Sequence, residues 1–343
     1  MEIQRTENSG LNCVAIGGGN GLSTLLSGVK QYVGTADDAE RRVRRLSAIV
    51  AVSDDGGSSG RLRDELQMPP PGDIRSCMVA LSEDSHLLSR LFRHRFSGSG
   101  GLGGHSFGNL FLAALCEITG DFAEAVKLSS EILASKGHIY PATISDVRIA
   151  AELKDGTIVR GETRISKVGP QIARIYLEPD ECQPLPEALT AIAEADVITI
   201  GPGSLYTSLL PPLLVKGVAE AIVSSSAVKI MVCNLMTQPG ETDGMTTRRH
   251  VEIISEYAPD LKFNHIVVNT QPVNEIQAEE YLKEGSEQIG ADASSNEGFD
   301  SASIVCGDLL DVGPKVRHDP AKLASIVLGC ARRSSRVQSL DAV

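Results

Sequence analysis

The chain has 343 residues, 42% hydrophobic and 22% charged, which suits one large α/β domain or two smaller ones. Aromatic residues make up 4% and tryptophan is absent, so a base or sugar would be held by hydrogen bonds rather than by stacking. A net charge of −12 argues against nucleic acid or an anionic membrane surface as the main partner.

Met1–Gly10 is polar and has no signal-peptide core, and it reads as a flexible tail, as does 333–343. Leu11–Ile16 is an apolar run ending in Gly17-Gly18-Gly19-Asn20-Gly21, with Leu22, Leu25, Leu26 and Val29 following at helical spacing. The pattern predicts strand, glycine turn and helix. The basic cluster Arg41, Arg42, Arg44 and Arg45 lies beside Asp37, Asp38 and Glu40 and reads as a solvated helix or linker face. Leu46–Val52 is a second apolar run, so the three pieces form a βαβ unit and the sheet is expected to be parallel.

From Gly72 to Lys136 the pattern is largely helical, and Phe122, Ala125, Val126, Ile132 and Leu133 fall near one face. Between Ile139 and Leu177 it becomes β-like, with Lys154-Asp155-Gly156-Thr157 suggesting a type I′ hairpin turn. This segment is expected to be an antiparallel insertion. Strands are then expected at Ala195–Ile200, Val228–Cys233, His265–Asn269 and Ser303–Cys306, with a polar loop at Gly285–Asp300. Pro320–Arg332 should be the last helix, capped by Asp319. The expected architecture is a Rossmann-like α/β domain over 11–332, a mostly parallel sheet with helices on both faces and a β-hairpin insertion at 139–177.

The seven cysteines are scattered without C-x-x-C spacing, so neither a zinc site nor a disulfide framework is expected. No apolar run reaches the roughly 18 residues that span a bilayer. The chain reads as a cytoplasmic protein without membrane insertion.

Four polar, glycine-rich segments follow apolar runs, and in an open parallel sheet such loops converge on a ligand crevice. The first, Gly17–Ser23, can offer backbone amides to a phosphate at a helix start. A tight turn without a ligand would use the same residues, and Leu22 stands where a dinucleotide fingerprint wants a third glycine. The second, Ser53-Asp54-Asp55-Gly56-Gly57-Ser58-Ser59-Gly60-Arg61, has two adjacent carboxylates suited to ribose hydroxyls, a cation or a helix cap. Ser58, Ser59 and Arg61 could add contacts to phosphate. The third joins Pro69–Arg75, where Asp73 could cap a helix, to Gly103–Asn109, where His105 is the histidine to test as an acid or base. The fourth joins Gly201-Pro202-Gly203-Ser204 to Cys233–Thr242, with Asn234 placed to read a polar ligand atom. There is no G-x-S-x-G elbow, H-E-x-x-H pair or G-x-x-x-x-G-K-[ST] loop.

Taken in order, GGGNGLS, VSDDGGSSGRLR, PPPGDIR, GHSFGN, GPGSLYTS and CNLMTQPGET resemble the motif series of the gluconeogenesis factor family. That family lies in the superfamily of CofD-type 2-phospho-L-lactate transferase. The resemblance runs from about Leu11 to Leu328. It implies a Rossmann-like fold, binding of a UDP-sugar such as UDP-N-acetylglucosamine, and a regulatory role in cell shape and growth on gluconeogenic carbon sources. It places Gly18, Gly19, Asn20, Asp54, Asp55, Ser204 and Asn234 along a nucleotide crevice, and links Tyr281 and Arg317 to the sugar nucleotide. It requires no cofactor beyond a Mg2+ that could accompany the nucleotide. A homo-oligomer and cell-wall regulatory proteins are compatible partners.

The transferase branch usually carries a GGTGG-type loop and an N-x-G-D-D segment, where this chain has GGGNG and VSDDGGSSG. Two alternatives stay open: Mg-dependent transfer of a phosphate-containing group, with Asp54 or Asp55 holding the metal, and nicotinamide-dependent oxidoreduction, which Leu22 disfavours.

Overall fold

Short apolar runs that end in glycine-rich turns dominate the chain, and in the computed structural model they become the buried strands of one sheet. The structure describes residues 10–34, 42–83, 86–168, 171–290 and 302–341. The N-terminal tail before Gly10, most of the acidic and basic stretch after Gly34, and the polar loop beyond Gly290 lie outside these residues.

Strand β1 (Leu11–Gly17) leads through the glycine turn into α1 (Gly19–Val29) and back as β2 (Val43–Val50). Helices α2 (Gly57–Leu66), α3 (Gly72–Leu81), α4 (His86–Arg93), α5 (Phe107–Thr119) and α6 (Phe122–Ile132) precede β3 (His138–Pro141). A separate layer follows: β4 (Arg148–Leu153), β5 (Ile158–Arg160), α7 (Glu162–Ile165) and β6 (Ile172–Glu178). The chain then runs through α8 (Pro186–Ala193), β7 (Val197–Ile200), a π-helical turn Leu205–Leu209, α9 (Leu210–Leu214) and α10 (Val218–Ser224). It closes with β8 (Val228–Val232), α11 (Thr247–Tyr257), β9 (His265–Asn269), α12 (Glu275–Lys283), β10 (Ser303–Gly307) and α13 (Pro320–Asp341).

The main sheet has seven strands in the order β10-β9-β8-β7-β1-β2-β3, all paired in parallel. Helices sort into one group around α1, α3 and α13 and another of α8, α9, α10 and α11. Right-handed crossovers leaving β1 and β7 in opposite directions put such groups on opposite faces. Strand β1 is buried from Asn12 onward, as a strand covered on both faces must be.

Several expectations change. His138–Pro141 overlaps the start of the stretch read as insertion, yet it pairs with β2 as the edge of the main sheet. The antiparallel layer is a three-stranded sheet in the order β5-β4-β6. Its turn has only Gly156 at positive φ, +84°, with Gly156 N–H donating to Leu153 O at 2.9 Å. A type I turn closed by a glycine bulge therefore replaces type I′. The described arginines after Gly34 are not on a helix: Arg44 donates to Asn12 Oδ1 at 3.0 Å, Arg45 pairs with Glu194, and both stand on β2. The last helix starts as expected, Asp319 Oδ1 accepting from Lys322 N–H at 2.9 Å, but continues to Asp341.

The strand order reverses between β1 and β7, and their outgoing loops meet there. A methyl group on Gly21 would overlap the Pro202 carbonyl oxygen and carbon, whereas one on Gly19 meets nothing within 4 Å. Gly19 instead needs its glycine for φ, +61°. Gly21→Ala should therefore lose about 1–3 kcal/mol or more by forcing two backbones apart. Gly19→Ala should lose about 1 kcal/mol. Urea unfolding of the ligand-free variants measures both, and equal losses would contradict the packing account.

Candidate functional site at the sheet's carboxyl edge

The crevice at a strand-order reversal is where open α/β sheets bind ligands, because the loops part and leave backbone amides facing outward. Here the Gly17–Gly21 turn forms one lip and Gly201–Ser204 the other. Asn234, just beyond β8, fixes the second lip: its Oδ1 accepts from Gly203 N–H at 3.0 Å and its Nδ2 donates to Gly203 O at 2.8 Å. Both ends of that amide are committed to the loop, so Asn234 shapes the crevice more than it reads a ligand. Glu241 anchors the same lip from below, accepting from Tyr206 N–H at 2.9 Å. Burial pushes the Glu241 carboxyl up to about 7.

The two lips border a cavity of about 660 Å³. Gly18, Gly19, Asn20, Ser204 and Asn234 line its near wall, and Tyr281 and Arg317 line its far wall. Tyr281 Oη accepts from Val316 N–H at 3.2 Å, which holds the segment carrying Arg317. Arg317 is exposed and its side chain makes no hydrogen bond or ion pair among the described residues, which leaves its guanidinium for a ligand. Two wall residues hold buried atoms without partners, Gln238 Oε1 and His318 Nε2. Gln238 spends its amide nitrogen on Ser204 Oγ at 2.7 Å, and His318 is bonded to the Cys233 backbone. Burial lowers His318 to about 4, so its ring is neutral near pH 7. Buried polar atoms left open cost stability unless something else supplies the bond.

Carboxylates crowd the same place. A methyl group on Gly18 would clash with Asp73 Oδ2, so that carboxylate lies directly against the glycine turn. Asp73 does not cap its own helix; it accepts from the Gly19 N–H across the crevice. Burial first, then Asp54 nearby, raise it to about 7. Glu162, at the start of α7, is raised to about 9 by burial and then by Asp54 and Asp73. Asp54 accepts from Gly56 N–H at 2.7 Å and faces an adjoining concavity together with Ser58. Asp55 stands apart from both cavities: it accepts from Thr163 N–H at 3.0 Å and Oγ1 at 2.9 Å, tying the antiparallel layer to the loop after β2. Its carboxylate is thereby committed to the fold.

His105 is 4% exposed and lies behind Ser58, whose Oγ is 3.0 Å from His105 Nδ1. Burial, then the nearby Arg61, lowers its pKa. It faces neither cavity. Among the described residues no group of three or more His, Cys, Asp or Glu is arranged to hold a metal ion by itself. No single helix among them is long and apolar enough to cross a membrane.

A family model described as 2-phospho-L-lactate transferase CofD matches residues 13–309. The chain belongs to the CofD family. Curated relatives in this family carry the name gluconeogenesis factor. One from Halalkalibacterium halodurans is 44% identical over 328 residues, covering 95% of this chain and 99% of the relative. One from Bacillus subtilis is 41% identical over 312 residues, covering 91% and 95%. A crystal structure of a UPF0052 family protein from Bacillus halodurans superposes with a TM-score of 0.87 at 43% identity, covering 93% of this chain and 99% of that one.

Sequence reasoning missed Glu162, Glu241, Gln238 and His318 as wall residues. Gln238 and Glu241 stood inside a quoted motif and His318 beside Arg317, so those positions were in view while their inward direction was not. Glu162 had no local signal, since the antiparallel layer had first to fold back onto the crevice.

The Asp73 carboxyl rises from 3.8 in the unfolded chain to about 7 in the fold. A raised carboxyl stabilises the fold below the unfolded value and loses that contribution as pH climbs through the folded one. The groups around it are Asp54, Glu162 and Arg75. Asp73→Asn should therefore stabilise the ligand-free protein at pH 8, on the order of 1–3 kcal/mol, and do almost nothing at pH 4. Melting temperatures at both values check the sign, and a larger gain at pH 4 would refute it.

Proposed function

We propose that the protein is a cytoplasmic nucleotide-sugar-binding regulator, taking UDP-N-acetylglucosamine in the crevice between the β1 and β7 loops. Through that occupancy it would serve cell shape and growth on gluconeogenic carbon. What supports the reading is the polarity of the cavity along its length. Backbone amides at the glycine turn suit a diphosphate, and the Arg317 side chain, Gln238 and His318 line the same cavity with side-chain atoms open to further bonds. The names of the relatives agree with the gluconeogenic part of the role. Homo-oligomerisation and cell-wall regulatory proteins as partners belong to the same proposal.

A second reading, transfer of a phosphate-containing group, is favoured by one observation: Asp54, Asp73 and Glu162 crowd the place where a diphosphate would bring further negative charge. A divalent cation removes that conflict. Mg2+ commonly takes one or two carboxylates and completes its shell with water and phosphate oxygens, so it needs no three-ligand protein cage, and none is found among the described residues. Asp54 and Asp73 would hold it, and it would supply charge neutralisation at the diphosphate.

Stability and affinity measurements test the site, and a turnover measurement separates the readings. UDP-N-acetylglucosamine at 100 times its dissociation constant should stabilise the fold by about 2.7 kcal/mol, and nicotinamide dinucleotides should not. Arg317→Ala should weaken UDP-sugar binding by about 1.5–3 kcal/mol and Tyr281→Ala by about 0.5–1.5 kcal/mol, both read by calorimetry. Stabilisation by NAD alone, or full affinity in both folded variants, would sink the site assignment. The regulator reading further expects UDP-N-acetylglucosamine to remain intact with Mg2+ and small phosphorylated acids. Release of UDP or UMP that Asp54→Asn abolishes would establish transfer instead.

A further inference from the structure

On the other side of the Gly19–Asn20 wall lies a second concavity of about 370 Å³, and its chemistry differs from the first. Its lining includes Asp54, Ser59, Arg75, Ser76, Arg95 and Asn109. Arg75 is the centre. Its Nε donates to Asn109 Oδ1 at 2.9 Å and its Nη2 to Ser76 Oγ at 3.1 Å. Asn109 is itself fixed, with its backbone N–H on Ser106 Oγ at 3.2 Å and its Nδ2 on Ser58 Oγ at 3.2 Å. Ser58 leans on His105 Nδ1 at 3.0 Å. His105, Ser58, Ser106 and Asn109 are each at most 4% exposed.

A chain of buried polar groups that ends on one guanidinium through Asn109 holds it in a single orientation. None of them is a carboxylate, and Arg75 makes no ion pair among the described residues. Arg93 and Arg95 stand close enough that their charges, after burial, lower the Arg75 pKa. Asp73 and Asp54 act in the opposite sense. The lining itself sets Arg75 and Arg95 against Asp54 and Asp73, and Arg93 adds a third guanidinium nearby, on a chain whose net charge is −12. Clustered guanidiniums repel one another, and a bound anion relieves that repulsion. Helices α2 and α3 also begin here, behind Gly56 and Pro71, without side-chain caps. Their free N–H ends add to the positive potential that Arg75 sets.

We propose that this concavity is a second ligand site, binding the phosphate of a small phosphomonoester through Arg75 and Arg95, beside the nucleotide cavity and separate from it. Arg75 presents a fixed planar fork that suits phosphate oxygens. Ser59 Oγ adds a hydroxyl on the same wall, while Ser76 Oγ donates to Gly72 O at 3.0 Å and serves to hold Arg75. The volume suits a metabolite rather than a peptide or a lipid surface. Because Gly19, Asn20 and Asp73 line both cavities, occupancy of one changes the wall of the other, and the two ligands should influence each other's affinity. The phosphate site itself does not depend on the nucleotide reading.

The test is calorimetry with glycerol 3-phosphate as probe, in buffer free of phosphate and sulfate, first without nucleotide. Wild type should bind one equivalent. Arg75→Lys, which keeps the charge and loses the fork, should weaken binding at least tenfold. Arg95→Gln changes an exposed side chain outside the buried network, so it keeps the test decisive if the first variant unfolds, and it should weaken binding severalfold. Both variants should keep UDP-N-acetylglucosamine affinity within about threefold. The proposal fails if wild type does not bind the probe, or if neither folded variant weakens it. It also fails if saturating UDP-N-acetylglucosamine excludes the probe, since the concavity would then be the terminal-phosphate end of the nucleotide site. Failure of UDP-N-acetylglucosamine to bind at all, with the probe still bound, would overturn the nucleotide reading and leave this one standing.

Discussion

At the middle of the sheet, α1 passes so close to the loop after β7 that Gly21 has no room for a side chain against the Pro202 carbonyl. The crevice depends on this approach. It sets the distance between the two loops at the reversal of strand order, and Asn234 then holds the second loop through both ends of its amide. The glycine turn keeps its shape because neither lip can move toward the other. A wider spacing would leave room for water and lose the wall that both cavities share.

A second constraint works against the first. Asp73 and Glu162 are pressed into the region that the glycine amides make attractive to anions, and burial raises both. Such an arrangement costs stability without a ligand, and proteins retain costs of this kind at sites of function. Glu241 differs in role: it caps the turn beginning at Leu205, and its elevated pKa follows from that buried position. The three carboxyls therefore answer to different causes, and only Asp73 and Glu162 report directly on what the crevice holds.

The antiparallel layer belongs to the site as much as the parallel sheet does. Asp55 grips Thr163 through both its backbone and hydroxyl groups, and Gly240 packs against the backbone at Ser166 and Lys167. These contacts close the insertion over the crevice from two directions and carry Glu162 into it. Buried Arg63, on α2, makes a matching connection through Asp146 at 2.5 Å and Val147 O at 2.5 Å. The loop after β2 thus spends one carboxylate on the fold and offers its neighbour, Asp54, to the second concavity.

The strands were legible from the sequence because burial on both faces demands continuous apolar runs, and glycine turns mark where they stop. His265–Asn269 and the start of the last helix at Asp319 and Pro320 follow from such local rules. So do the lips of the crevice, since a strand followed by glycines before a helix has few other uses. Local rules could not assign His138–Pro141, whose four residues fit an insertion or a sheet edge equally well until β2 was available to pair with it. Nor could they tell that Asp55 would be consumed by Thr163, 108 residues away, or that Asn234 would spend its amide on Gly203. The sequence by itself determined which residues can form strands, turns and helix starts, because those preferences act over a few neighbouring positions. Only the tertiary structure decided which polar side chains remain free to meet a ligand, because a hydrogen bond is taken by whichever partner folding brings within about 3 Å.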